Sequence, residues 1–215
     1  MKRFSWLLAP WRAVRALPVE EAALLGIVLL VAFLVRLWGA YFGLPHVYHP
    51  DEGFEVYRAL RLGMGGFDFE RVAKGGYYFL LFAEYGVYFV LLFVTGANSS
   101  VQGFAEHFVA DPGAFWRIGR TTTVFLGTFT VGLVWWQGRR MGSSRAGLLA
   151  ALFLALSFRH VVDSHYVTVD VPMTLFAFWA IAMIVEDVSG RGRLRTWPFA
   201  LVAASAASFA FSRPI

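Results

Sequence analysis

The sequence predicts an all-α, polytopic transmembrane helical bundle, and three observations predict that class. Of the 215 residues 58% are hydrophobic and 15% charged, with a mean hydropathy of +0.60, more apolar than a soluble domain has reason to be. Apolar runs long enough to cross a bilayer recur along the chain. The arginines between them gather in short loops, Arg139, Arg140 and Arg145 in one and Arg191, Arg193 and Arg195 in another, as expected of loops kept on the cytoplasmic side. The net charge of +5 therefore reads as membrane orientation rather than as a nucleic-acid surface. With no cysteine in the chain, disulfides, thiolate zinc sites and cysteine nucleophiles are excluded.

Taken in order, residues 1–21 are a cytoplasmic basic segment, with Lys2, Arg3, Arg12 and Arg15 beside Trp6 and Trp11 at the interface. Residues 22–42 are the first span, since about 1.5 Å per residue covers the roughly 30 Å hydrocarbon layer. The run is too long and starts too late for a cleaved signal peptide. Arg36, near its outer end, is placed to snorkel or to face a site. Residues 43–119 form an outer loop carrying interfacial helices. The first covers 54–64, where Phe54, Tyr57, Leu60 and Met64 recur at helical spacing opposite Glu55, Arg58 and Arg61. Gly63, Gly65 and Gly66 end it.

Four further spans follow, at 121–137, 146–162, 171–185 and 197–212. Both arginine loops and the N-terminus belong on one side, so the first span exits and the segment ending at Gln137 returns. That parity requires the aromatic run 77–96, with Glu84 in its middle, to lie in the interface or fold back. The total is about five spans. Asn98-Ser99-Ser100 is a formal glycosylation sequon of a kind common by chance. The chain stops at Ser212-Arg213-Pro214-Ile215, directly after a hydrophobic segment, and reads as the front part of a longer protein.

Chemistry-bearing residues collect at the outer edges. His46-Val47-Tyr48-His49-Pro50-Asp51-Glu52-Gly53 holds two imidazoles and two carboxylates within eight residues, and His165 to Asp170 follows at another edge. The two edges are expected to meet in one site. Asp51 and Glu52 after Pro50 suit the first turn of a helix, where the dipole stabilises acids. A helix cap, however, does not need His46 and His49. A carboxylate at a lipid–water boundary suits general-base work on a hydroxyl group. Lys74 with Arg120 or Arg159 could hold a phosphate and stabilise it as it leaves. The other reading of His46, His49, Asp51, Glu52, His165 and Asp170 is a divalent metal site for zinc or manganese, although His49-x-Asp51 is not a recognised ligand spacing.

These residues resemble those of the GT-C-type membrane glycosyltransferases that use polyprenyl-phosphate sugars, the protein O-mannosyltransferase and lipid A aminoarabinose transferase relatives. The resemblance lies in His49-Pro50-Asp51-Glu52-Gly53-Phe54-Glu55-Val56-Tyr57-Arg58-Ala59 opening an interfacial helix, and in Lys74 before Tyr77-Tyr78. It continues in Arg120 opening a span that ends at Arg139-Arg140, and in Asp170 before an apolar run. It implies a GT-C-like fold and a sugar passed, with inversion, from a polyprenyl-phosphate donor to a hydroxyl acceptor on a lipid, glycan or protein. The membrane would be the cell (inner) membrane, with the active site on its outer, periplasmic face. It further implies Asp51 as the catalytic base or as the residue shaping the acceptor site, supported by Glu52 and Asp170. Lys74 and Arg120 would contact the donor phosphate, with His49, Arg58, Arg159 and His165 as further substrate contacts. Some relatives carry an acid where this chain has Ala73, so a metal at that point does not carry over. A transporter or lipid-binding protein would use the same acids as an ion site, but it usually shows internal symmetry and midplane sites. An inactive fragment of a transferase is a third reading.

Overall fold

The computed structural model describes residues 17–66 and 75–189, and among these it contains eight helices and no strand. They are α1 Val19–Ala40, α2 Pro50–Gly63, α3 Gly75–Val94, α4 Val101–Ala110, α5 Pro112–Met141, α6 Ser144–Ala155, α7 Phe158–Asp163 and α8 Asp170–Val188. The first 16 residues, Lys74, the arginines at 191–195 and the expected span 197–212 lie outside the described residues.

The axis of the bundle is α5, whose 30 residues run about 45 Å. Pro112 opens it in the one turn where a missing N–H costs nothing, and Arg139 and Arg140 close it where the dipole favours cations. Along it pack α1, α6 and α8, while α2 packs against α3. The α5–α6 crossing depends on glycine. A Cβ on Gly147 would stand 2.6 Å from the Trp135 carbonyl, and one on Gly138 would stand 3.0 Å from Gly147 Cα. Between helices in lipid, where leaving hydrocarbon gains nothing, such small residues let backbones approach and make contact.

Two apolar cores result. Leu25, Ala32, Val131, Trp135, Ala151 and Leu175 join α1, α5, α6 and α8. Val56, Tyr77, Leu81, Tyr85, Phe115 and Val167 join α2 and α3 to the start of α5 and to the segment before α8. Outside, α1 exposes Leu24, Ile27, Leu30, Leu34 and Trp38, a face of the kind that lipid covers. By length and composition α1 and α3 can cross a membrane. The architecture agrees with the expected helical membrane protein.

Charge separates to two ends. Arg120 lies at one end. At the other, Arg139 pairs with Glu21 at 3.0 Å, Ser144 Oγ donates to Glu21 Oε2 at 2.7 Å, and Arg140 pairs with Glu186. Along α5 the 120 and 139 positions are about 28 Å apart, close to the roughly 30 Å of bilayer hydrocarbon.

The elements depart from expectation in three places. The segment 146–162 is not one helix, because it breaks at Leu156–Ser157 into α6 and α7, and the 12 residues of α6 cover only about 18 Å. The break has a partner: Arg36 donates to the Leu154 and Ala155 carbonyls, satisfying groups that a further helical turn would otherwise occupy. The span expected at 121–137 lies inside the longer α5, whose first turns bury Phe115 and Trp116 under α2 and α4. A hydropathy window registers the apolar content of those turns but not that they are covered by protein. Helix α4 was not anticipated. The sequon residues begin it: Ser100 Oγ accepts from Gly103 N at 3.0 Å, and Asn98 Oδ1 accepts from Ser100 N at 3.4 Å. The hydrogen bonds of α3 to α5 fall at Phe115, Gly119, Thr122 and Thr123, beside the Arg120 end.

Candidate functional site

The first turn of α2 is built as its sequence predicts. Pro50 starts the helix, His49 is its N-cap, and the Asp51 N–H donates to His49 Nδ1 at 3.3 Å. Asp51 and Glu52 are neighbours in that turn and face opposite ways. Asp51 is exposed to solvent, whereas Glu52 has no exposure at all.

Glu52 meets Arg120, itself 1% exposed, in a two-point bond: Nε to Oε1 at 2.8 Å and Nη2 to Oε2 at 2.8 Å. Such fork-to-fork pairs are the strong form of the carboxylate–guanidinium bond. The third arm, Arg120 Nη1, donates to the Ala40 and Phe42 carbonyls at 3.0 Å each. Glu52 Oε1 also accepts from the Val167 backbone N–H at 2.8 Å. One buried ion pair thus ties together the end of α1, the start of α2, the first third of α5 and the segment 164–169. The two edges expected to meet do meet.

Tyr166 strengthens the junction. Its ring lies 4.9 Å from the His49 ring and 5.7 Å from the Arg120 guanidinium carbon, within the range at which a cation is drawn to an aromatic face. The sequence carried no signal for Tyr166 beyond its place between His165 and Asp170. Next to it, His165 sits in a notch at Gly39, where a Cβ would lie 2.5 Å from the imidazole, and its Nε2 bonds to the Val35 carbonyl at 3.3 Å. Burial holds this imidazole below its ordinary value of 6.5. The bond to Val35 opposes the shift, and the charges of Arg36 and Arg120 add to it.

The remaining predicted residues are placed as follows. Asp170 is the first residue of α8, partly exposed, its carbonyl accepting from Thr174 Oγ1. Arg58 is partly exposed, 3.5 Å from Glu55 Oε1, a weak tie. Arg159 is largely exposed and bonds Asp163 on its own helix at 2.8 Å. Lys74 lies outside the described residues. Among the described residues, no three His, Asp or Glu side chains converge to hold a metal ion. Arg36 does not snorkel. It is fully buried and turned to α6 and α7.

Residues 116–211 match the family model of dolichyl-phosphate-mannose-protein mannosyltransferases. The match supports a GT-C-type glycosyltransferase. It begins one turn before Arg120 and takes in Arg159, His165 and Asp170. The His49–Arg58 stretch precedes it, joined to the matched region in space by Glu52. A membrane mannosyltransferase-type enzyme is thereby supported from the region that supplies Arg120 and the segment 164–170. No curated protein and no solved structure matches the chain.

Proposed function

We propose that the chain carries the catalytic end of an inverting membrane glycosyltransferase, taking a sugar from a polyprenyl phosphate on the outer face of the cell membrane to a hydroxyl acceptor. Asp51 removes the acceptor hydroxyl proton as that oxygen attacks the anomeric carbon. The bond from that carbon to the phosphate oxygen breaks on the opposite face, and the phosphate leaves with the electron pair. Arg58 and Lys74 meet the charge that develops on it. Asp170 is the second acid at the site, and His49 and His165 line its edges. Arg159 contributes a cation at the rim once it leaves Asp163. Glu52 and Arg120 act by holding Asp51 and the 164–170 segment in register, since the guanidinium is already engaged by the carboxylate and two carbonyls.

The observation that carries this reading is the Val167–Glu52 bond, which joins the aspartate-bearing α2 to the aspartate-bearing start of α8. The separation of the two charged ends of α5 by about one hydrocarbon thickness supports α5 as a crossing, with the Arg139–Arg140 turn inside. The bonds of α3 to the outer turns of α5 support a helix lying at the face rather than crossing.

The test is transfer from a labelled polyprenyl-phosphate sugar in membranes holding the full-length protein. Asp51→Asn is expected to lower the rate by about 10²–10⁴-fold while native mass spectrometry still finds the donor lipid bound. Transfer at the wild-type rate would remove Asp51 from the role of base.

A further inference from the structure

Arg36 is 0% exposed, and a buried guanidinium is costly unless its donors are met. Here the four donors on its two terminal nitrogens are met without a carboxylate, while Nε has no hydrogen-bond partner. Nη1 donates to the Ala32 carbonyl at 2.8 Å and the Ala155 carbonyl at 3.1 Å. Nη2 donates to the Leu154 carbonyl at 3.2 Å and bonds His160 Nδ1 at 3.0 Å. That imidazole nitrogen is then an acceptor, its lone pair turned to the guanidinium. Gly127 on α5 leaves the space: a Cβ there would stand 3.0 Å from Arg36 Nε and 2.6 Å from Ser164 Oγ. Ser164 Oγ in turn donates to the His160 carbonyl at 2.6 Å. Apart from its own helix, every partner of Arg36 lies in 154–160, the break between α6 and α7. The chain leads from that break through Ser164 to Tyr166, Val167 and Asp170.

We propose that Arg36 is a positioning residue for sugar transfer: it clamps the α6–α7 break and, through His160 and Ser164, sets where segment 164–170 delivers Tyr166, Val167 and Asp170 to the Asp51 end of α2. The proposal rests on the transferase reading above. A planar fork is what the geometry requires, since three carbonyls and an imidazole nitrogen are reached at once, and a lysine ammonium carries its three donors on a single nitrogen. The segment 164–170 is therefore held by Arg36 before it and, within it, by the His165–Val35 and Val167–Glu52 bonds.

The test uses the protein in membranes, where its 215 residues offer no cysteine to compete with introduced thiols. His49→Cys with Tyr166→Cys puts thiols where the two rings lie 4.9 Å apart, and a short bifunctional thiol reagent reads their proximity without any activity. Transfer is measured separately with His49 and Tyr166 intact. In Arg36→Met and Arg36→Lys the cross-linking yield is expected to fall several-fold and kcat about 10²-fold. KM and bound donor lipid are expected to stay unchanged. If Arg36→Met fails to fold, Arg36→Lys carries the test. Cross-linking and kcat both at wild-type level in Arg36→Lys would overturn the proposal. So would a fall in kcat with cross-linking intact. A loss of cross-linking together with full transfer by Asp51→Asn would leave the placement by Arg36 standing and remove the catalytic reading instead.

Discussion

Replacing Glu52 by glutamine leaves the Arg120 guanidinium buried opposite a neutral amide, and removing one partner of a buried pair costs about 3–5 kcal/mol. Glu52→Gln is therefore expected to lower the thermal unfolding midpoint in detergent sharply. Asp51→Asn, one residue earlier but exposed, should leave stability within about 0.5 kcal/mol and lose transfer. Equal loss of stability in both variants would contradict the division of labour between the two acids. Both carboxylates were legible in the sequence as a pair at a helix start, but which one faces water was not. Near the N-terminus of a helix either residue can point inward, and only the position of Arg120 and Val167 selects Glu52. Arg36 shows the same limit. Its place near the end of an apolar helix suggested snorkelling or facing a site, because two of the carbonyls that hold it, those of Leu154 and Ala155, are more than a hundred residues away in the chain.

Among the elements, the helices with a local cause were the readable ones. Pro50 with two acids announces α2, and the observed Pro50–Gly63 differs from the expected 54–64 mainly by including that turn. The break between α6 and α7 has a weaker local signal. Ser157 is the N-cap of α7 but its side chain makes no capping bond, and the freed carbonyls of Leu154 and Ala155 are taken by Arg36 on α1. The α5–α6 contact is decided by Gly138 and Gly147, and Gly147→Leu, directed at the Trp135 carbonyl 2.6 Å away, should cost about 1–3 kcal/mol through overpacking. Thermal unfolding checks this, with Gly132→Leu as the control because Gly132 has only the Leu29 side chain nearby, at 3.7 Å. If both substitutions cost the same, the close crossing is not what joins these helices.

For the molecule as a whole, the site depends on the end of α1 staying packed against the segment before α8, and His165 in the Gly39 notch reports on that packing through pH. Its folded-state value is lowered from 6.5, so the unfolded chain takes up the proton first. The stability its burial contributes is complete above pH 6.5 and is lost as pH falls through the depressed folded value. The unfolding midpoint of the wild type should therefore drop on acidification from pH 6.5 toward the depressed folded value, and His165→Gln should drop less over the same interval. Parallel curves would exclude His165 as a source of the dependence. The sequence by itself determined the class of this protein, an all-helical membrane chain whose acids lie at helix edges, because apolar content and arginine placement act through local transfer energies that each segment carries alone. It also determined the resemblance to a glycosyltransferase, which the match at residues 116–211 supports. Only the tertiary structure decided that Glu52 is locked and Asp51 open, and that α6 stops where Arg36 meets it. It alone put Tyr166 between His49 and Arg120. The reason is physical: each of these outcomes is a hydrogen bond or ring contact between segments far apart in the chain, and a buried polar group takes whichever partner the packing brings within reach.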